Sequence, residues 1–480
     1  MKRSIPVFTM VIICFFTMMG CRPSVTIDPD TIAYRPLDFS PQQPERVELP
    51  NGIIIYILED HELPLLNVTA VARTGSMYDP VGKEGLAELA GIVMRTGGTA
   101  AMTGDAIDAE LDFMAGNVSV KIEKDTATIS LSVLKGDSEP GMKIFSDILM
   151  HPAFEEKKLQ EKKDLKIEML RRIYDNPRNM AFREFSHIMY GDNPRGRLST
   201  VSSVGAITRD DCVMFHNQFF FPRNIMISIT GDTTTEDAIA LINRHFAAWR
   251  LSGDIPRVPL PNVNLKGSVN FLFKDLPQSI IIMGLFAPGK YDPDHYAFEV
   301  LDFIVGSGGF RSRIFGTIRN RLGLAYSAGS FYSPRNEFGV FGAYAMTKAE
   351  TTAQVLSVLR SILDDAKDVG VTDEELFWAK RSIINNFVFS FSSAEKISMQ
   401  QLLLEYHDLP QDFLTSYRYR IDSLTTSDLL RVAQTYFTVD ETTVFVLGNE
   451  EKFDMPLSTF GMVTEVRRDD AEVGNSNENP

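Results

Sequence analysis

The sequence predicts an α+β fold built from two copies of one domain, each an antiparallel-rich sheet with helices packed on one face. Three observations predict it. Thr208, Asp211, Phe219, Phe220 and Gly231 recur as Thr425, Asp428, Tyr436, Phe437 and Gly448, all 217 residues later, and Tyr78-Asp79-Pro80 returns as Tyr291-Asp292-Pro293; such a repeat marks duplicated architecture. A proline-marked stretch, Ser252 to Asn262 with Pro256, Pro259 and Pro261, falls where a linker between the copies belongs. Within each copy, alternating strand patterns come first and amphipathic helices later, the order of an α+β domain.

Taken in order, residues 1–20 read as a signal peptide. Lys2 and Arg3 precede an apolar run, Ile5 to Met19, that is shorter than the roughly 20 residues a membrane-spanning helix needs. Gly20-Cys21 closes it as a bacterial lipoprotein signal does, which makes Cys21 the expected lipidation site; the alternative is an ordinary secretory signal in which Cys21 is incidental. Residues 21–44, with Pro23, Pro29, Pro36, Pro41 and Pro44, read as an extended tether.

The first domain takes 45–250. Val47–Leu58 and Leu66–Ala72 alternate like strands, Gly85–Met94 reads as a buried helix, and Asn117–Leu134 as two strands around a Lys124-Asp125 turn. Glu139–Met150 and Glu155–Tyr174 carry helical periodicity, the second closed by Asp175-Asn176-Pro177. Each copy then ends on a capped helix, a chain reversal and a short apolar strand, Ile225–Thr230 or Thr443–Leu447, closed by glycine. The linker takes 251–264 and the second domain 265–463. Residues 464–480, acidic and Asn-rich toward their end, read as a disordered tail.

Composition narrows the function. With 44% apolar and 23% charged residues, the 480-residue chain can bury a sizeable core. A net charge of −15 without a basic block argues against nucleic acid as a partner. Of the three cysteines, Cys14 lies in the signal, Cys21 at the anchor and Cys212 alone in the body, so acylation of Cys21 leaves no disulfide pair. The expectation is a body anchored by lipid to the bacterial cell envelope and facing the periplasm. Arg22 gives no aspartate-type inner-membrane retention signal, which points the anchor to the outer membrane. No Gly-x-Ser-x-Gly elbow occurs, and Cys212 lies in an apolar helix context, so no serine or cysteine nucleophile is expected. Among His61, His151, His187, His216, His245, His295 and His407, no two lie within five residues, so no short zinc motif is present.

Asn51-Gly52, the run Arg73 to Asp79, Gly85-Leu86-Ala87, Gly98-Thr99, Asn117-Val118-Ser119, His151-Pro152-Ala153-Phe154 and Asp175-Asn176-Pro177 follow one another in a distinctive order. From Val47 to near Phe453 the chain resembles the insulinase-type, pitrilysin-like (M16) family of zinc metallopeptidases. The resemblance implies two metallohydrolase-like domains closing as a clamshell. It also implies peptide hydrolysis by an HxxEH motif, in which two histidines four apart on one helix face bind Zn²⁺, the glutamate activates water and a distant glutamate completes the ligands. Here Glu88, Gly91 and Ile92 stand at the three motif positions, and no histidine lies between His61 and His151. Glu168 falls where the third ligand is expected. One carboxylate cannot hold zinc, so Glu168 reads as a vestigial ligand position, a solvated helix-face residue among Lys162, Lys163, Lys166 and Arg171. The chain is therefore expected to hold no metal and to be inactive alone.

The second half keeps what the first has lost. Gly308-Gly309 and the run from Ile318 to Tyr326 resemble the family's C-terminal signature, in which an arginine and a tyrosine seven residues apart face the zinc site of the opposite domain. These are Arg319 and Tyr326. A guanidinium and a phenol near the carbonyl oxygen stabilise the charge that develops during peptide hydrolysis. The resemblance thus implies a non-catalytic subunit that lends Arg319 and Tyr326 to a zinc-bearing homologue, with zinc only in that partner. Asn117, Val118 and Ser119 match the edge strand on which the family pairs extended peptide. The alternative is a peptide-binding or structural scaffold without a role in proteolysis, in which Arg319 is a surface residue, Tyr326 a packed aromatic and 117–119 an ordinary sheet edge.

Overall fold

The computed structural model describes residues 42–263 and 266–467. The expected signal peptide, Cys21, the expected tether through Pro41 and the expected tail from 468 onward lie outside the described residues.

The first half runs β1 (Glu45–Glu48), β2 (Ile54–Glu59), β3 (Leu65–Ala72), α1 (Leu86–Thr96), α2 (Gly104–Phe113), β4 (Asn117–Ile122), β5 (Ala127–Leu134), α3 (Ser138–Met150), α4 (Glu156–Arg171), α5 (Pro177–Tyr190), α6 (Val201–Gly205), α7 (Arg209–Phe219), β6 (Ile225–Gly231) and α8 (Thr235–Phe246). The second runs β7 (Ser268–Phe273), β8 (Gln278–Ala287), α9 (His295–Asp302), β9 (Ala325–Pro334), β10 (Gly339–Lys348), α10 (Thr352–Asp368), α11 (Asp373–Phe387), α12 (Ala394–Tyr406), α13 (Phe413–Ser423), α14 (Thr426–Tyr436), β11 (Thr443–Gly448) and β12 (Val463–Glu465). The expected Val47–Leu58 strand is two strands. Asn51-Gly52 turns the chain between them, with Gly52 at φ 93°, and β1 pairs antiparallel with β2, the hairpin chemistry of an Asn-Gly step.

Each half holds one mixed six-stranded sheet, in the orders β1-β2-β6-β3-β5-β4 and β12-β7-β11-β8-β10-β9. Five strands correspond one to one. The sixth comes from opposite ends of the described chain: β1 joins antiparallel and β12 joins parallel, so ordered structure runs past 463. The repeat extends to atoms. Thr208 and Asp211 cap α7 reciprocally, and Thr425 and Asp428 cap α14 the same way, each Thr N–H donating to the Asp carboxylate at 2.8 Å.

Strand alternation sends Val68, Ala70, Ile129, Leu131, Ile227 and Ile229 into a core with α1, α3, α7 and α8, and the second half repeats this with α9, α10, α11 and α14. Each half packs its own core helices on one face of its sheet, as expected, and the second face takes a helix from the other half. Met180, Phe185 and Met189 of α5 pack on Ile280, Ile282, Val340 and Leu447 of the second sheet. Gly284 makes room for Phe185, whose ring would lie 2.3 Å from a Cβ there. Reciprocally, Leu402 and Tyr406 of α12 pack on Tyr56, Val71 and Met226 of the first sheet. Arg46 grips Glu405 through two bonds of 2.7 and 2.6 Å, and Tyr56 donates to the same carboxylate at 2.5 Å. Apolar area buried on both faces makes the halves one compact unit.

Candidate functional site

The degenerate motif lies on α1. Gly85, at φ 106°, starts the helix, and the buried Asp79 carboxylate accepts from the N–H groups of Gly85 (2.7 Å) and Ala87 (2.8 Å), which satisfies two of the helix's free donors. Burial pushes the Asp79 carboxyl up to about 7 against those two donors. Its ordinary value is 3.8, so between about 4 and 7 the folded chain holds a proton that the unfolded chain has released, and Asp79's contribution to stability falls as pH rises through that window. Asp79→Asn removes this term. Urea midpoints of the two proteins at pH 5 and pH 8 should shift relative to each other in the variant's favour at the higher pH; an equal gap at both values would refute the assignment.

Glu88, Gly91 and Ile92 follow along α1. The carboxylate of Glu88 is held by Lys166 of α4 at 2.6 Å. Gly91 is buried where the helix meets the edge strand, and a Cβ on it would stand 2.7 Å from Ile122 Cγ1. Glycine costs about 1 kcal/mol in a helix interior, and this close approach is its reason. Ile92 is half-buried and apolar. Glu168 points elsewhere, bonded to Arg171 at 2.5 Å and half exposed; the residue of α4 that reaches the motif is Lys166. An engaged carboxylate, a glycine and an isoleucine do not fit Zn²⁺, which takes four N, S or O donors. Among the described residues, no group of three or more His, Cys, Asp or Glu could hold a metal ion. Cys212 is buried and free, and burial pushes its thiol up to about 12, which keeps it protonated and inert.

Asn117, Val118 and Ser119 open β4, an edge strand bonded only to β5. The turn bond from Glu123 N–H to Thr126 O fixes the alternation, so the N–H and C=O groups of Val118, Val120 and Ile122 point to the free side. Arg95 Nε of α1 occupies one of these acceptors, Val118 O, at 2.7 Å, and Arg95 also pairs with Asp108 at 2.7 Å. The side chains of Asn117 and Ser119 project onto the sheet face turned toward α12. There Asn117, Ser132, Asn67 and Thr230 form one cross-strand row, and Ser119, Ser130, Thr69 and Ser228 the next. Most of them line a cavity of about 710 Å³. The matching face of the second sheet is apolar and sealed by α5, so the two copies differ most on this surface.

Arg319 and Tyr326 stand on irregular backbone. Phe315–Arg321 is a π-helical turn, closed by Leu322 N–H to Thr317 O at 3.0 Å; such wide turns recur at functional sites because they re-aim side chains. The exposed Arg319 guanidinium lies 4.8 Å from the Phe315 ring centre, a cation–π contact. Tyr326 is the extra residue of a β-bulge: Ala325 pairs with Thr347 and Ser327 with Met346. The bulge turns its ring outward, 58% exposed, with the hydroxyl 3.3 Å from Met346 Sδ. Neither side chain makes a hydrogen bond to the other or an ion pair among the described residues. Arg313, in the same segment, is instead structural, gripping Glu375 through two bonds of 2.7 Å. The adjacent Gly308-Gly309-Phe310 turn leaves Phe310 72% exposed. Sequence reasoning missed Lys166, Ile122 and Arg95; a lysine two residues from the supposed third-ligand position was the available signal.

Residues 58–200 match the family model for insulinase (peptidase family M16), and residues 206–383 match that for the peptidase M16 inactive domain. An uncharacterized zinc protease of Rickettsia bellii is 24% identical over 412 residues, 84% of this chain and 97% of that one. Among solved structures, the peptidase M16 inactive domain from Pseudomonas fluorescens superposes with a TM-score of 0.79 at 23% identity, covering 85% of this chain and 98% of that one. A protease from Helicobacter pylori gives 0.77 at 20% identity, covering 85% and 100%.

Proposed function

We propose, from the premise that the chain belongs to the insulinase-type peptidase family M16, that it is a non-catalytic subunit completing the active site of a zinc-bearing homologue. The observation that carries this reading is an asymmetry. Arg319 and Tyr326 are held outward by a π-turn and a bulge, engaged only by weak contacts to the Phe315 ring and the Met346 sulfur among the described residues, while the motif positions on α1 are packed shut by Ile122 and Lys166. In the joint site the guanidinium and the phenol stand where the peptide carbonyl oxygen gains charge, and stabilise it by donated hydrogen bonds in a water-poor chamber. Water activation belongs to the partner. Peptide lies along the free side of β4, at Asn117, Val118 and Ser119, and Cys21 carries the lipid that anchors the chain to the envelope, on the periplasmic side of the outer membrane.

The second reading is a peptide-binding scaffold without proteolysis, favoured by the polar, open surface beside β4, which serves peptide binding whether or not cleavage follows. Purification of the body from Arg22 onward in its own host, with mass identification of what accompanies it, separates the two. A stoichiometric homologue carrying HxxEH is the expected result. A lone chain or a homodimer free of zinc would overturn the subunit reading in favour of the scaffold.

A further inference from the structure

The duplication places a second, intact cavity where the degenerate motif has its counterpart. Glu299 precedes Gly308 by the nine residues that separate Glu88 from Gly97, and Asp302 takes the place of Gly91. In the first half Lys166 neutralises Glu88. In the second, Asp302 is buried and Glu299 half-buried, and among the described residues no ion pair reaches either: Glu299 accepts from the Tyr417 hydroxyl at 2.6 Å, and Asp302 accepts from Ser330. Burial pushes Glu299 up to about 7 and Asp302 up to about 6, the behaviour of carboxylates that lack a counter-cation.

Both line a cavity of about 590 Å³, large enough for a small ligand. Two further walls have unused bonding capacity. His295 is 6% exposed. Tyr332 spends its one proton on Pro288 O at 2.7 Å, so His295 Nδ1 must donate to the Tyr332 oxygen at 3.0 Å, which leaves Nε2 as a lone-pair acceptor without a partner. Lys290, fixed by its backbone N–H to Arg335 O at 2.7 Å, brings an ammonium group that makes no hydrogen bond or ion pair among the described residues; burial lowers its pKa, with Asp125 near enough to oppose that shift in part. Most of the remaining lining is apolar, with Phe303, Phe331, Leu404, Phe413 and Leu414 prominent, and Ser307, Gln400 and His407 add polar groups to it.

A cavity lined by acceptors without an ion pair, an ammonium without a bonded anion and a largely apolar remainder is complementary to a zwitterion with an apolar body. We propose that it binds an apolar amino acid or dipeptide, the ligand's ammonium answering Glu299, Asp302 and His295 and its carboxylate answering Lys290. This site is separate from Arg319 and Tyr326 and does not depend on the subunit reading.

Calorimetry on the full chain at neutral pH tests it, with L-phenylalanine and L-leucyl-L-phenylalanine as probes. Phenethylamine, 3-phenylpropionate and glycylglycine serve as analogues lacking the carboxylate, the amine and the apolar body. One-to-one binding of at least one probe is expected, with each analogue weaker by at least about tenfold, the scale of one lost charge partner. Lys290→Met should weaken the best probe by a similar factor and leave phenethylamine unchanged, and Glu299→Gln should weaken both. The Lys290 side chain makes no hydrogen bond or ion pair among the described residues, and its backbone bond to Arg335 survives substitution, so its variant stays interpretable if Glu299→Gln fails to fold. No binding of either probe up to about 10 mM, which corresponds to under 3 kcal/mol, overturns the proposal. So does 3-phenylpropionate binding as tightly as the best probe, or an unchanged affinity in Lys290→Met.

Discussion

If the proposed shared site exists, the Arg319→Ala, Tyr326→Phe double variant, reconstituted with a co-purifying zinc-bearing homologue, should lose peptidase activity while still assembling. Removing one transition-state donor typically costs about 10²–10³ in rate, so losing both leaves a rate near background. The loss should appear in kcat more than in KM, because these donors meet charge that exists only in the transition state. Folding should be untouched. Among the described residues, Arg319 is engaged by the Phe315 ring and the Tyr326 hydroxyl by a methionine sulfur, and neither makes an ion pair, so neither substitution strands a buried partner. Co-elution at unchanged stoichiometry, with steady-state rates on an unfolded peptide, checks both parts, and an unchanged rate in the double variant would sink the shared-site model.

Rebuilding the motif should fail. With Glu88→His, Gly91→Glu and Ile92→His together, the chain acquires the letters of HxxEH but should retain no zinc after dialysis. Three features oppose the metal. A side chain at position 91 begins 2.7 Å from Ile122 Cγ1; the Lys166 ammonium stands where it pairs with Glu88 and would repel a dication; and Glu168 is turned to Arg171, leaving the site without its third protein ligand. Overpacking of this kind costs about 1–3 kcal/mol, so the triple variant should also unfold at lower urea. Stoichiometric zinc by elemental analysis would show that the site had lost only its ligands and not its shape.

How much of this was legible in the sequence follows from the range of the physics involved. The capped helices at Thr208/Asp211 and Thr425/Asp428 are local chemistry, three residues reaching their own backbone, so the repeat could be read directly and the bonds match. That Glu88, Gly91 and Ile92 make no HxxEH ligand set was equally legible, because no fold turns glycine and isoleucine into ligands. The choice between Lys166 and Glu168 was not. Two positions on a helix differ by about 200°, and only the packing of α4 against α1 decides which one faces the motif. The bulge at Tyr326 was hidden for a similar reason, since it exists only as a mismatch between β9 and β10.

The same division separates what each level determined about this protein. Residue identity and order alone established an α+β duplication, the absence of an HxxEH run and the seven-residue spacing of Arg319 and Tyr326, because periodicity, capping and ligand chemistry act within a few residues of chain. Only the tertiary structure decided that α5 and α12 exchange sheets between halves, that Ile122 packs against Gly91 and Lys166 pairs with Glu88, and that Glu299, Asp302, His295 and Lys290 line one cavity. Those outcomes depend on contacts between segments tens to hundreds of residues apart, where an apolar or charged face shows that a partner is needed without showing which surface supplies it.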